Sequence, residues 1–451
     1  MNSSRTPSQD DKRFLWHPFT QMKDWLAGEP LIIAEGEGAI LRDTEGREYI
    51  DGVSSLWCNV HGHRRREIDD AIRAQLDRIA HTTLLGLANL PSIELARRLI
   101  GIAPKGLAKV FFSDDGSTAV EVALKMAFQY QRQRPDPRPR KTRFLALCGG
   151  YHGDTVGSVG VGGIELFHSI YKPLLMASLF APSPYCYRCP MGRSPESCGM
   201  ACAGELERLV RSRADDLAAV VVEPLVQGAG GIITARPGYL RRVREVTREC
   251  DVLLIADEVA TGFGRTGRMF ACEHEDVCPD LMALSKGISG GYLPLAATLA
   301  TEEVFNAFLG EAHEARTFYH GHTYTGNPLA CAAGIASLQV FEKDRTLERL
   351  QPRIARLARH LATAAKLAHV GDVRQCGFMA GIELVEDRIT RREYPAGART
   401  GAKVAAAARP RGAIVRPLGD VVVVMPPLCI TDGEIDRLMA AVEGAIREVT
   451  E

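Results

Sequence analysis

Short apolar runs, each closed by a carboxylate, a lysine or a small-residue turn, recur through the first two-thirds of this chain. Lys109-Val-Phe-Phe112, residues 143–148, Ala219-Val-Val-Val-Glu223, residues 252–257, residues 281–285 and residues 295–300 each have the length and continuous hydrophobicity of a strand buried on both faces. Helix-period stretches separate them, and the clearest puts Ala119, Val122, Ala123, Met126, Ala127 and Tyr130 on one face. That alternation predicts an α/β protein whose residues 66–335 form a large domain, a mostly parallel central sheet with crossover helices. Residues 1–65 read as an N-terminal arm, flexible through Arg13, joined to a segment with short β-like stretches at 31–34 and 39–41 and a turn at Asp43-Thr-Glu-Gly46. Residues 336–451 read as a small α+β domain. Its last helix announces itself through the capping box Thr431-Asp-Gly-Glu434 and an apolar face of Ile435, Leu438, Met439, Val442 and Ile446.

Composition adds limits rather than chemistry. At 451 residues the chain is too long for one core. Lys+Arg and Asp+Glu both total 55, so the formal net charge is zero, which argues against a nucleic-acid or anionic-membrane surface. No apolar run reaches the ~18 residues of a membrane span, and the polar N-terminus does not read as a secretory signal. Twelve cysteines in such a chain predict free thiols and a reducing, cytoplasmic location. Four of them, Cys186, Cys189, Cys198 and Cys202, have a spacing that resembles a four-thiolate metal site. Three residues separate the second pair and no other metal signature accompanies it, so no metal is expected.

Candidate chemistry sits where the strands end, the side of an open α/β sheet that binds ligands. Asp257 closes one apolar run and Lys286 follows another. A lysine that forms a Schiff base and a carboxylate that holds a pyridinium nitrogen are the two groups that pyridoxal phosphate requires of a protein. Gly116 and Ser117, in Ser113-Asp-Asp-Gly116-Ser117-Thr118, open a helix whose free N–H groups suit a phosphate, although serine and threonine there serve equally as N-caps. Tyr151, in Gly150-Tyr151-His152-Gly153, is placed to stack on a flat ring, and His152 reads as a structural hydrogen-bonding group. Glu223 ends a further strand. Gly321 and Thr323 belong to a second small-residue turn before an alanine-rich helix, where Thr323 offers a hydroxyl to a phosphate. Arg416 precedes the strand 421–425 and has the fork that binds a carboxylate through two hydrogen bonds.

The stretch Ile255-Ala-Asp257-Glu-Val-Ala-Thr-Gly-Phe-Gly-Arg265-Thr-Gly, followed by Lys286, resembles the signature of the class III pyridoxal-phosphate-dependent aminotransferases. The resemblance covers nearly the whole chain. It implies the fold-type-I architecture and a homodimer whose active sites draw on both subunits. Three further stretches are similar to the biotin-pathway branch of that class: Trp16-His-Pro-Phe19-Thr-Gln-Met22, Asp51-Gly-Val-Ser-Ser-Leu-Trp57 with His61-Gly-His63, and His320-Gly-His-Thr-Tyr-Thr-Gly-Asn-Pro-Leu-Ala-Cys331. That branch aminates 8-amino-7-oxononanoate.

The resemblance implies roles for individual residues. Lys286 is the Schiff-base lysine and proton shuttle, Asp257 the partner of the pyridine nitrogen, and Tyr151 the stacking ring. Gly116, Ser117 and a partner subunit's Thr323 hold the phosphate, with Glu223 near the cofactor. Trp57, Phe19 and Gly321 line the substrate path, and Arg416 binds the substrate carboxylate. Phe19 stands where the S-adenosylmethionine-using form carries tyrosine, and Ala80-His-Thr-Thr-Leu-Leu-Gly86 resembles a lysine-using branch. The resemblance therefore leaves two amino donors, S-adenosylmethionine and lysine. Another ω-amino acid or ornithine-type aminotransferase, a mutase or decarboxylase on the same fold, and a cofactor-binding regulatory module are the competing readings.

Overall fold

The computed structural model describes residues 5–451. Its centre is a seven-stranded sheet built from β1 (Leu107–Ser113), β2 (Arg143–Leu147), β3 (Leu179–Ala181), β4 (Leu217–Val222), β5 (Leu253–Asp257), β6 (Leu281–Leu284) and β7 (Ala296–Thr301). They lie in the order β1-β7-β6-β5-β4-β2-β3. β7 runs antiparallel to both of its neighbours, so the other six strands are mutually parallel and end at one edge. The six predicted strands are all present. β3 was not among the predicted strands: it is only three residues long, at the end of the apolar stretch 174–181, lies at the sheet edge and leaves Phe180 exposed.

The continuous hydrophobicity of these strands follows from their surroundings. β4, β5 and β6 are buried at every position because helices cover both faces of the sheet. Helix Gly116–Gln133 buries all six apolar positions predicted for its inner face. It starts at Asp115, whose carboxylate accepts from Thr118 N while Thr118 completes a capping box.

Three smaller sheets flank the centre. One joins Ile33–Glu37, Ile40–Asp43 and Glu48–Asp51 to Ala413–Ile414, so the beginning and end of the chain share a sheet. A second joins Val370–Cys376, Met379–Leu384, Val421–Val424 and Arg416–Leu418, and a third is the two-stranded Val226–Gln227 and Ile233–Thr234. Helix Asp432–Thr450 begins at the Thr431 capping box and buries all five predicted side chains, which contributes about 8–15 kcal/mol of apolar transfer energy.

One sequence expectation fails. The arm is not flexible over residues 7–14: Pro7–Phe14 is a helix, because Thr6 and Gln9 form a capping box and Pro7 occupies the first turn. The Pro/Arg-rich stretch near residue 140 is partly buried. Lys141 is buried, and its amine donates to the Cys250 and Asp251 carbonyls.

Candidate active site

The shared strand edge opens onto a cavity of about 430 Å³. Five strands deliver its side chains: Gly116 and Ser117 after β1, Tyr151 and His152 after β2, Glu223 after β4, Asp257 at the end of β5 and Lys286 after β6. Trp57 closes it from the N-terminal segment.

Asp257 is buried, with one carboxylate oxygen accepting from Val259 N at 3.0 Å and the other 2.7 Å from His152 Nδ1. Burial disfavours the charged imidazole of His152, but the bond to Asp257, and then the nearby charge of Glu223, outweigh it and hold the ring above its ordinary pKa. Glu223 accepts from Tyr151 N and Gly228 N at 3.0 and 2.8 Å, yet burial pushes its carboxyl up to about 7. The Tyr151 hydroxyl donates to Asp154 at 2.6 Å, and burial together with that carboxylate raises its pKa and keeps it a neutral phenol. Lys286 has φ +47 in a turn directly after β6. Its amine stands 5.1 Å from the Trp57 ring centroid and makes no hydrogen bond or ion pair among the described residues. Burial lowers its pKa, opposed by Asp257 and Glu223.

The turn after β1 is built for close approach. A Cβ on Gly116 would lie 2.6 Å from Val259 Cγ1, and one on Gly153 (φ +113) would lie 2.0 Å from Ser117 Oγ. Ser117 Oγ accepts from Asp154 N at 3.1 Å, which ties the turn after β2 to the helix start. The first N–H groups of that helix have no partner within it, and they face the cavity as an anion cradle.

Residues 54–57, which carry Trp57, are unusual. Ser54, Ser55, Leu56 and Trp57 all have left-handed backbone, with φ of 41, 41, 69 and 73. Left-handed backbone costs an L-residue about 1–2 kcal/mol, so the run stores about 4–8 kcal/mol. The Asp51 carboxylate offsets this by accepting from Val53 N, Ser55 N and Ser55 Oγ at 2.7–3.3 Å, and it faces His63 Nε2 at 3.0 Å. None of this was legible beforehand, because no glycine marks the turn.

Other predicted residues lie further out. Arg416, on its own short strand, is near enough to Tyr151 to oppose the rise of the Tyr151 pKa. Phe19 is exposed and packs edge-on against Phe167, which in turn meets Tyr151 edge-on. Gly321 and Thr323 sit on an exposed loop and do not line the cavity of their own chain. The four clustered cysteines share one small cavity. All twelve cysteines are unpaired, and no group of three or more candidate metal ligands occurs among the described residues.

A family model for class-III aminotransferases matches residues 24–446. The chain belongs to the class III aminotransferases. This aminotransferase is therefore a pyridoxal-phosphate-dependent enzyme, and its architecture is fold type I. Among curated relatives, the adenosylmethionine-8-amino-7-oxononanoate aminotransferase of Nitratidesulfovibrio vulgaris is 60% identical over 441 residues, covering 98% of this chain and 81% of that one. The Geobacter sulfurreducens protein of the same name is 56% identical, covering 98% and 97%. Among solved structures, the Methanocaldococcus jannaschii adenosylmethionine-8-amino-7-oxononanoate aminotransferase matches with a TM-score of 0.94 at 47% identity, over 98% of this chain and 99% of that one. An omega transaminase from Pseudomonas jessenii in complex with PMP matches with a TM-score of 0.94 at 32% identity, over 99% and 98%.

The residues of the aminotransferase fit its cofactor. The helix start and the two crowded glycines leave room for a phosphate but not for side chains, the Asp257 carboxylate is placed for a ring nitrogen, and the Lys286 amine is unengaged. The cavity is of the size that holds a small cofactor with its substrate.

Proposed function

We propose that this aminotransferase converts 8-amino-7-oxononanoate to 7,8-diaminononanoate, the amination step of biotin biosynthesis. Full-length identity of 48–60% to enzymes carrying that name is the observation that carries the reading. The cavity supports it, since it combines a lysine with a buried carboxylate, and Arg416 lies outside its lining but near Tyr151.

Bound pyridoxal phosphate supplies the electron sink that lets a proton leave the carbon bearing the amine. Lys286 takes that proton and returns it, and the burial that lowers its pKa favours the neutral amine the task needs. Asp257 holds a proton on the ring nitrogen, with His152 fixing the carboxylate from behind. Tyr151 packs against the ring, with Glu223 holding its backbone N–H. Gly116 and Ser117 N–H groups bind the phosphate. Arg416 binds the carboxylate of the keto substrate through two charge-assisted hydrogen bonds. Trp57 and Phe19 bound the substrate path.

The working enzyme is a homodimer in this reading. The 319–324 loop adjoins residues 80–81 through Asn327 and the His81–Tyr324 contact. Leu85, Leu87, Tyr319 and Tyr324 are all exposed there. A second copy covering this patch brings Thr323 and Gly321 to its own cofactor and substrate. No helix among the described residues is long and apolar enough to cross a membrane. Twelve unpaired thiols favour a reducing compartment, the cytoplasm.

The relatives' names favour S-adenosylmethionine as donor, and Phe19 keeps lysine in contention. Likeness to omega transaminases at 31–32% identity supports a second reading, an ω-amino acid aminotransferase. One assay separates them. Purified enzyme is given 8-amino-7-oxononanoate with S-adenosylmethionine or lysine, and separately pyruvate with a simple ω-amine. The expected result is 7,8-diaminononanoate from one of the first pair. Turnover of the ω-amine alone would overturn the proposal.

A further inference from the structure

The left-handed turn at 54–57 is the most strained segment at the cavity, and its scaffold plays no part in the chemistry assigned above. Its one direct product is the placement of Trp57. The indole N–H is buried and has no hydrogen-bond partner among the described residues, so nothing at the ring's tip fixes its orientation. The ring lies close against the backbone of Gly228, where a Cβ would come within 3.1 Å of Trp57 Cζ3. The Lys286 amine stands over the ring, 5.1 Å from its centroid. The ring's position is therefore set by the backbone that carries it together with the buried apolar cluster it belongs to, which includes Ala260 and Met425.

That backbone is held from two sides. Asp51 is fully buried and spends its hydrogen bonds on the turn and on His63. Ser54 Oγ donates to the Met425 carbonyl at 2.8 Å and accepts from Arg265 Nη2 at 2.6 Å. Arg265 is itself buried and makes no ion pair among the described residues; its other hydrogen bond goes to the Pro426 carbonyl. A buried cation spent on a serine and a carbonyl is costly. Such expense is warranted where the group it fixes matters.

We infer that Asp51, with Ser54 and Arg265 behind it, is a positioning residue for the reaction: it holds residues 54–57 left-handed and so seats the Trp57 indole against the Lys286 amine. The inference rests on the reading that Lys286 is the reacting centre. Strain at a functional site persists only where its surroundings over-determine it, and here the surroundings are these three side chains.

Leu56 provides the test, because its side chain is 46% exposed and its φ is 69. Leu56→Val places a β-branched residue where left-handed backbone is a genuine outlier, and Leu56→Gly places one that adopts it freely. The readouts are kcat/KM and the near-ultraviolet circular dichroism of Trp57, assigned by difference with Trp57→Phe. Leu56→Val is expected to lose at least about tenfold in kcat/KM together with the Trp57 signal, whereas Leu56→Gly keeps both within about twofold. Equal behaviour of the two variants, whether both active or both impaired, would overturn the inference. Should Leu56→Val fail to accumulate as folded protein, Asp51→Asn replaces it: activity and signal fall, and adding Leu56→Gly restores most of each. Absence of restoration would count equally against the inference. The comparison is made on any amino acceptor the enzyme takes, so a failure to aminate 8-amino-7-oxononanoate would refute the substrate reading alone.

Discussion

Asp257→Asn changes one charge and almost no volume. Its amide oxygen can still accept from Val259 N, so the turn after β5 survives. Two things are lost: the negative partner of His152, now 2.7 Å away, and the charge that would keep a proton on the cofactor's ring nitrogen. At 2.7 Å with an effective dielectric of 20, two unit charges attract by about 6 kcal/mol before desolvation is subtracted. Hydrogen bonds to charged groups retain about 1.5–3 kcal/mol of such gross values. Taking about 2–3 kcal/mol for a site this buried, kcat/KM should fall by about 30- to 160-fold. The thermal midpoint should fall by a few degrees, since the bond to His152 also holds the fold while the backbone bond is kept. The assay is steady-state transamination on the cofactor-saturated variant, beside a thermal melt of the same preparation. Activity within about threefold of wild type, with saturation verified, would refute the role given to the charge.

Three more outcomes follow from the same geometry. Gly153→Ala forces a methyl within 2.0 Å of Ser117 Oγ and should weaken pyridoxal phosphate binding at least about tenfold in an equilibrium titration; unchanged affinity would contradict the cradle. Arg416→Ala should raise KM for the carboxylate-bearing acceptor by about 10- to 160-fold with kcat nearly constant, and a fall in kcat alone would point to another role. Glu223 concerns pH: with a folded pKa of about 7 against an ordinary 4.5, the folded protein binds the extra proton in that window. Its contribution to stability is thus full below pH 4.5 and is lost as pH rises through about 7, by at most about 3 kcal/mol. Melts of wild type and Glu223→Gln across that range should show the wild type losing ground steadily, and a constant difference would contradict the assignment.

The parts of the site that follow from strand ends were legible in the sequence. Asp257 and Lys286 each close a run too apolar to be anything but a doubly covered strand, and the sheet brings both to one cavity. The turn at Gly116 and Ser117 was legible as a helix start after a strand end, and the structure places it on the same cavity. What escaped depends on long-range contacts. His152 read as a structural hydrogen-bonding group, and only the adjacency of the turn after β2 to the end of β5 identifies Asp257 as its partner. The left-handed turn at 54–57 has no local cause: serine, serine, leucine and tryptophan adopt it because Asp51 and Arg265, one near in sequence and one far, close on it. β3 and the Pro7–Phe14 helix were missed for the opposite reason. Both are short enough that an edge pairing or a single capping box decides them. Thr323 and Gly321 could be read as phosphate-turn residues from their neighbours alone, yet their own chain leaves them exposed.

The central claim is that Lys286 carries the cofactor at the end of β6. Borohydride reduction of the holoenzyme, followed by peptide mapping by mass spectrometry, tests it most directly, because reduction locks the cofactor onto whichever lysine holds it. A phosphopyridoxyl group on the peptide containing Lys286, absent from Lys286→Ala, is the predicted result. The same group on a different lysine, or persistent labelling of the Lys286→Ala protein, would contradict it.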